Sequence, residues 1–288
     1  MSTVHHRYAT VSGRQLFYRE AGPAGAPAVV LLHGFPASSF MYRDLIPLLA
    51  DRYHVIAPDY LGFGFSDAPP ASEFSYTFDA IAGLTGELLT QLGITRYAMY
   101  VQDYGAPVGW RLALTSPGAV TAIISQSGNG YEAGFTDAFW KPVRELWRDR
   151  NPETEAALGQ ALSLDAIRWQ YTHGVPDPTV VSPDTWHHDY AQVTRPGNDQ
   201  VQLSLLADYA TNPPMYPRLH AWLRNRRVPV LAVWGRGDEI FGPDGALAFA
   251  DDAPGAEIHL LDGGHFLLES QLDAVADYIR PFLERNLP

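Results

Sequence analysis

The 288-residue sequence contains no cysteine at all. This absence excludes disulfide bonds, thiolate metal sites and cysteine nucleophiles together, and it is compatible with a reducing compartment. Basic residues are also scarce: 20 Lys and Arg stand against 32 Asp and Glu, the net charge is −12, and no basic cluster is longer than residues 224–227. Nucleic acid and anionic membranes are therefore not expected as partners.

Long apolar runs are missing as well. No stretch approaches the roughly 18 residues of a membrane span, and the first residues show no apolar core of a signal peptide. We therefore expect a cytoplasmic protein. His187 and His188 are adjacent, no His/Asp cluster has the spacing of metal ligands, and the glycines of residues 59–67 do not form a phosphate-binding G-x-G-x-x-G motif. Neither a metal nor another cofactor is expected.

The sequence does contain ample material for a core, since 46% of its residues are hydrophobic. Short apolar runs, typical of strands buried on both faces, alternate with segments whose apolar residues recur at helical spacing. This alternation predicts an α/β fold with a mostly parallel sheet, helices on both faces, and sites at the carboxyl ends of the strands. The predicted strands are residues 4–11 and 14–19, which form an antiparallel pair, and residues 29–32, 53–57, 98–101, 120–125, 229–234 and 257–261. Among the predicted helices are one at residues 40–50 and a closing helix at residues 266–283.

Residues 129–227 interrupt this alternation. Strand patterns fade there, whereas prolines and tryptophans accumulate, so we predict a helical cap inserted between two parts of the core, residues 1–128 and 228–288. An aromatic cap favours a small apolar substrate, since such pockets hold ligands mainly by burying apolar surface. Five of the seven tryptophans fall in this segment: Trp140, Trp147, Trp169, Trp186 and Trp222.

Residues 97–111 change from strand to sharp turn to helix, and Asp103 lies at the centre of the turn. Such a turn lifts its central side chain above the sheet, with the following amides and the helix N-terminus pointing towards it. An aspartate is already ionised at neutral pH, so it can attack a saturated carbon and form an ester that water must then cleave. The alternative is that Asp103 only caps the following helix.

The segment His33-Gly34-Phe35-Pro36 ends the strand at residues 29–32. The amide of Phe35 can then face the same crevice as the amide of Tyr104, and two converging donors make an oxyanion hole. The alternative is an ordinary tight turn, with His33 as a buried structural histidine.

Two further residues complete a possible triad. Asp238 follows the strand at residues 229–234, and His265 follows the last strand on a glycine-rich loop. The chain order of nucleophile, acid and histidine is the one expected of a strand–turn–helix nucleophile site. His265 would activate water and Asp238 would orient its ring, although Glu239 or Asp262 could be the acid instead.

Residues 28–128 and 228–285 resemble the core of the α/β-hydrolase superfamily, specifically its aspartate-nucleophile branch of epoxide hydrolases and haloalkane dehalogenases. Residues 129–227 resemble the cap of that branch, so the resemblance covers nearly the whole chain. Four motifs carry it: H-G-x-P at 33–36, D-x-x-G-x-G-x-S-D at 59–67, Q-D-x-G at 102–105 and G-G-H-F at 263–266.

The resemblance implies epoxide hydrolysis as the preferred activity. In that family cap tyrosines donate to the ring oxygen, and Tyr209 matches the family's Y-x-x-N segment. Tyr171 is the candidate second donor, although it does not lie where the family's first cap tyrosine is expected and could equally be packing. The predicted substrate pocket contains Tyr171, Trp169, His33 and Pro36.

Haloalkane dehalogenation with the same triad is the alternative activity. Dehalogenases hold the halide with a tryptophan after the nucleophile, helped by a second tryptophan or by an asparagine after the first H-G. This sequence has Tyr104 and Phe35 at those places, which weakens that reading, although Trp169 could compensate. Tyr104 also departs from the tryptophan common in epoxide hydrolases and from the arginine of fluoroacetate-type dehalogenases. Another α/β-hydrolase activity or a ligand-binding protein is less favoured, and we expect a monomer or homodimer.

Overall fold

The computed structural model describes residues 2–287, which form one eight-stranded sheet. The strands are β1 His5–Val11, β2 Arg14–Ala21, β3 Ala28–Leu32, β4 His54–Pro58, β5 Tyr97–Val101, β6 Val120–Ser125, β7 Val230–Gly235 and β8 Glu257–Leu261. Their order across the sheet is β1-β2-β4-β3-β5-β6-β7-β8. The first three pair antiparallel and all later neighbours pair parallel, so the predicted mostly parallel sheet is confirmed.

Helices cover the sheet, and a group of them is inserted between β6 and β7. The helices before the insertion are α1 Leu45–Leu49, α2 Phe78–Gln91 and α3 Gly105–Thr115. The inserted helices are α4 Asp137–Arg148, α5 Pro152–Gly159, α6 Leu164–Thr172, α7 Pro183–Val193, α8 Asn198–Asp208 and α9 Tyr216–Arg226. The last four are α10 Asp244–Leu247, α11 Phe249–Asp252, α12 Leu267–Ser270 and α13 Leu272–Asn286.

The central strands are buried over their whole length. Every residue of β4 and β5 is buried, as expected for parallel strands covered by helices on both faces. Helix α2 shows how the covering helices are specified. The Thr77 side chain accepts a hydrogen bond from the Ala80 amide at its N-terminus, and Gly93 follows its last turn with φ +72°.

Two predicted helices differ from the structure. The helix expected at residues 40–50 is a 3₁₀ turn, Ser39–Tyr42, followed by the short α1. The closing helix expected at 266–283 is split into α12 and α13, because Gln271 between them has φ −138° and ψ 29°, outside the helical region.

The inserted helices contact the loops at the carboxyl ends of the core strands. Phe135 forms an isolated β-bridge with Phe241, and the indole nitrogen of Trp140 donates to the carbonyl of Ile240 at 2.7 Å. The cap boundaries at residues 129 and 227 stay a prediction. Within residues 2–287, no helix is both long and apolar enough to span a membrane.

Candidate active site

The turn between β5 and α3 is the structural centre of the site. Asp103 has φ 47°, a left-handed conformation that is uncommon for a residue other than glycine. The start of α3 requires a glycine at position 105, because a Cβ added there would lie 2.0 Å from the carbonyl oxygen of Leu32. The sequence therefore fixes a tight turn with a carboxylate at its tip.

Two backbone amides hold one oxygen of that carboxylate. The amides of Phe35 and Tyr104 donate to Asp103 Oδ1 at 2.7 and 2.6 Å. These are the amides that the sequence assigned to an oxyanion hole. Asp103 Oδ2 lies 3.8 Å from His265 Nε2.

His265 is held from its other side by an acid. Its Nδ1 lies 3.0 Å from Asp238 Oδ2, and Asp238 Oδ1 accepts from the amides of Ile240 and Phe241 at 2.9 and 3.0 Å. These three hydrogen bonds fix the orientation of the Asp238 carboxylate. The structure thus brings Asp103, Asp238 and His265 together within one buried cluster.

The two alternative acids lie elsewhere. Glu239 pairs with His173 at 3.0 Å with more than half of its side chain exposed. Asp262 is 78% exposed and lies 3.4 Å from Arg236. Neither carboxylate contacts the histidine of the cluster, so Asp238 is the acid of this geometry.

Burial and charge shift the pKa values of two members of the cluster. Burial raises the pKa of Asp103 to about 6, although the positive charge of His265 and the two amides oppose the rise. Burial alone would lower the pKa of His265, but the charge and hydrogen bond of Asp238 outweigh it, and the net pKa is raised above its usual 6.5. The pKa values of both groups are therefore raised above those of free side chains.

Gln102 makes a contact that sequence reasoning missed. Its amide nitrogen lies 2.9 Å from His265 Nε2. Because Nδ1 of this ring faces Asp238, Nε2 of the neutral ring carries the lone pair and accepts from Gln102. The motif Q-D-x-G contained the residue, but nothing in its spacing shows that the side chain turns towards the histidine.

A cavity of about 220 Å³ opens beside the carboxylate. Phe35, Asp103 and Tyr104 line it from the core, and residues of α4 and α5 line it from the inserted helices. Most of these side chains are apolar. Gln170 of α6 also lines the cavity, although the sequence analysis did not select it.

Tyr209 lies behind this cavity. It is fully buried, and its ring centre lies 4.7 Å from that of Trp140 and 5.9 Å from that of Tyr104, both of which line the cavity. Its hydroxyl lies close enough to that of Tyr216 for each to affect the pKa of the other, although no hydrogen bond of ordinary length joins it to a residue within 2–287. Burial raises the pKa of Tyr209 well above its usual value, so the phenol keeps its proton.

Tyr171 and Trp169 lie outside the lining of this cavity, in contrast to the expectation from the sequence. The Tyr171 hydroxyl donates to Asp189, and its ring stacks on Phe266 with centres 4.0 Å apart. Trp169 stacks on His173 at 4.7 Å. Successive side chains of a helix point about a quarter of a circle apart. Gln170, which lies between Trp169 and Tyr171 in the sequence, therefore lines the cavity, whereas its two neighbours do not.

His33 and Pro36 also lie outside the lining. His33 is fully buried, its Nε2 accepts from the Tyr60 amide at 3.2 Å, and its ring stacks on that of Tyr60 at 4.1 Å. Burial lowers the pKa of His33 to about 3, so the ring is neutral. These contacts agree with the structural alternative stated for His33 above.

Comparison with known proteins places the chain in a family. The family model for the α/β hydrolase fold matches residues 27–271. An uncharacterized hydrolase of Saccharomyces cerevisiae, YNR064C, is 42% identical, with 98% of this chain and 97% of that protein covered. Haloalkane dehalogenase 2 of Mycobacterium bovis is 38% identical, with 94% and 92% covered.

A solved structure gives a similar result. Epoxide hydrolase A from Mycobacterium thermoresistibile superposes with a TM-score of 0.75 at 25% identity, and 98% of each chain is covered. The fold, the buried cluster and these relatives lead to one conclusion: this chain is a hydrolase that belongs to the α/β-hydrolase fold family, in the branch that includes haloalkane dehalogenases and epoxide hydrolases.

Proposed function

We propose that the protein hydrolyses epoxides to diols through a covalent ester on Asp103. The observation that carries this proposal is that the two carboxylate oxygens of Asp103 have different surroundings. Oδ1 is held by two amides, whereas Oδ2 lies 3.8 Å from His265 Nε2, and Asp103 is one of the residues that line the cavity. Oδ2 is therefore the oxygen available to attack an oxirane carbon.

The first step forms an ester and opens the ring. As Oδ2 bonds to carbon, the carbon–oxygen bond of the ring breaks, and its electron pair stays on the departing oxygen. Tyr209 gives that oxygen a proton. The tyrosine suits this role because its phenol is protonated and lies close enough to Asp103 for that carboxylate to raise its pKa.

The second step hydrolyses the ester. His265 takes a proton from water, which attacks the Asp103 carboxyl carbon, and Asp238 stabilises the charged ring. The oxygen that becomes negative is Oδ1, which already accepts two amide hydrogen bonds. The oxyanion hole formed by the amides of Phe35 and Tyr104 therefore needs no rearrangement between the two steps. The bond between the carboxyl carbon and Oδ2 then breaks, and His265 returns its proton to the departing oxygen. The second proton of the water, left on the regenerated carboxyl of Asp103, restores Tyr209, so the proton count closes as the diol leaves.

An epoxide is favoured over a haloalkane because the cavity offers little to hold a halide. Trp140 is the tryptophan among the described lining residues, and its indole N–H is already bonded to the Ile240 carbonyl. Binding a halide there would break that bond. Haloalkane dehalogenation is the second candidate, and the observation in its favour is the 38% identity to the haloalkane dehalogenase 2 of Mycobacterium bovis.

Trapping the ester tests the proposal. In a His265→Gln variant the ester should form but not hydrolyse, so intact-protein mass spectrometry after incubation with 1,2-epoxybutane should show the whole mass of the epoxide added to the protein. Peptide mapping should place the adduct on Asp103. A haloalkane would instead add its mass less hydrogen halide.

A second variant controls for non-specific alkylation. The double variant Asp103→Asn/His265→Gln should gain no mass under the same conditions. An adduct on another residue, or diol production by Asp103→Asn at the wild-type rate, would exclude the covalent mechanism. An adduct from 1-chlorobutane but not from the epoxide would select dehalogenation.

A further inference from the structure

Gln170 is a buried polar residue in a largely apolar cavity. Its side chain is 4% exposed and lines the 220 Å³ cavity together with Asp103. It is one of the few polar residues of that lining, and buried amides normally find hydrogen-bond partners. A molecule in the cavity can supply a partner for this amide.

The other polar groups of the cavity are already committed. The amides of Phe35 and Tyr104 both donate to Asp103 Oδ1, and the indole of Trp140 donates to the carbonyl of Ile240. Asp103 is the charged side chain among the described lining residues, and no lysine, arginine or histidine lies among them. An anionic substrate would meet only negative charge, so the partner of Gln170 must be neutral.

The hydrogen-bonding groups of an amide further restrict the chemical class of the group that Gln170 can bind. The Gln170 amide offers two N–H donors and one carbonyl acceptor, and a hydroxyl both donates and accepts. The cavity is smaller than the roughly 300 Å³ at the lower end of pockets for drug-sized ligands. A short substrate that carries one hydroxyl can satisfy the amide, while its carbon atoms contact the apolar walls.

We propose that Gln170 binds a hydroxyl group on the substrate, and that the preferred substrates are short epoxides with a hydroxyl on the carbon next to the ring. This proposal rests on the proposed epoxide hydrolysis and adds a substrate class to it. A plain hydrocarbon epoxide offers only its ring oxygen, which receives a proton from Tyr209 in the proposed reaction, and sites built around a hydrogen bond discriminate strongly against analogues that lack it.

Two epoxides of nearly equal size test the proposal. Glycidol carries a hydroxyl where 1,2-epoxybutane carries a methyl group, so their kcat/KM ratio isolates the hydroxyl. The wild type should prefer glycidol. Gln170→Met removes the amide at similar side-chain length and should lower the ratio of the two kcat/KM values about tenfold or more.

Gln202→Met is the matched control. Gln202 is a fully buried glutamine of α8 whose amide lacks a partner in the described part of the chain, and it does not line the cavity. Its variant should keep the wild-type ratio. If Gln170→Met fails to fold, Gln170→Asn, which withdraws the amide by one methylene, should lower the same ratio.

The outcomes separate this proposal from the one on which it rests. If the wild type converts both epoxides and the ratio does not depend on Gln170, or if it prefers 1,2-epoxybutane, the hydroxyl site is excluded and epoxide hydrolysis stands. If neither epoxide gives diol or an adduct on Asp103, epoxide hydrolysis fails and the hydroxyl site fails with it.

Discussion

Asp103 combines two properties that favour catalysis at the expense of stability. It has a left-handed backbone and a carboxylate that is 5% exposed. Burial disfavours its charged form, which the reaction needs, and the two amides offset only part of that cost. The folded protein therefore holds its nucleophile in an unfavourable ionised state at neutral pH.

The first prediction concerns Asp103→Asn, which should stabilise the protein at alkaline pH while abolishing turnover. The folded pKa of about 6 lies above the usual 3.8, so the stability linked to protonation is present below the lower value and lost as pH rises through 6. At about 1.4 kcal/mol per pKa unit, the neutral amide should raise the free energy of unfolding by about 3 kcal/mol at pH 8.

Urea denaturation at two pH values checks this sign. The gain should shrink to about 1 kcal/mol near pH 4.5, where the wild-type carboxyl is protonated in the folded state. Asparagine tolerates the left-handed conformation, so backbone strain does not confound the comparison. A gain that is equal at both pH values, or a loss at pH 8, contradicts the pKa assigned to Asp103.

Some residues of the candidate site could be predicted from the sequence and others could not, for a physical reason. Asp103, Asp238 and His265 each follow a strand end, and parallel strand ends meet at one edge of a sheet whatever the side chains do. Gln102 and Gln170 matter through the direction in which their side chains point. That direction depends on packing against residues distant in sequence, which a motif does not encode.

At the scale of elements, one pair of residues joins helices α6 and α7. The Tyr171 hydroxyl donates to Asp189, which is 1% exposed. Burial raises the pKa of Asp189 well above its usual value, in spite of that hydrogen bond. Arg43, the nearest cation, already makes a bidentate pair with Glu269 at 2.9 and 2.7 Å. Tyr171 is thus a structural partner for a buried acid.

The second prediction follows for Tyr171→Phe. The variant should lose about 1 to 3 kcal/mol of unfolding free energy, because the buried carboxyl of Asp189 loses a hydrogen-bond donor. Its kcat for epoxide opening should stay within about twofold of the wild type, since Tyr171 does not line the cavity. Thermal denaturation and steady-state kinetics on the same preparation measure both quantities. A large fall in kcat with unchanged stability would restore Tyr171 as a proton donor.

The elements themselves were predictable where burial is one-sided. Helix α2 buries Ile81, Leu84 and Leu88 and carries a clear stripe at helical spacing. Helix α8 buries consecutive residues, including Leu205 and Leu206, because it packs on more than one side. Such a helix leaves no simple stripe, so the helical character of residues 129–227 was predictable but the bounds of the individual helices were not.

At the scale of the whole molecule, Arg111 ties the core to the inserted helices. It lies on α3, directly behind the catalytic turn, and its Nη1 donates to Asn212 Oδ1 at 2.7 Å. Its Nη2 donates to Thr211 at 2.8 Å, and its Nε pairs with the exposed Asp79. The contacts of Arg111 with Thr211 and Asn212 join residues about 100 positions apart in the sequence. The sequence predicted both parts of the molecule but not this connection, because long-range pairing leaves no periodic pattern.

Because residues 209–211 form one 3₁₀ turn, Arg111 also fixes the position of Tyr209. Arg111→Met should lower the unfolding free energy by about 2 to 3 kcal/mol, since the buried Asn212 loses its charged donor. It should also slow ester formation, measured as single-turnover adduct growth in the His265→Gln background. Arg218→Met, at an exposed arginine of α9, is the control and should change neither quantity. Normal adduct growth in a destabilised Arg111→Met protein would mean that Tyr209 needs no support from the core.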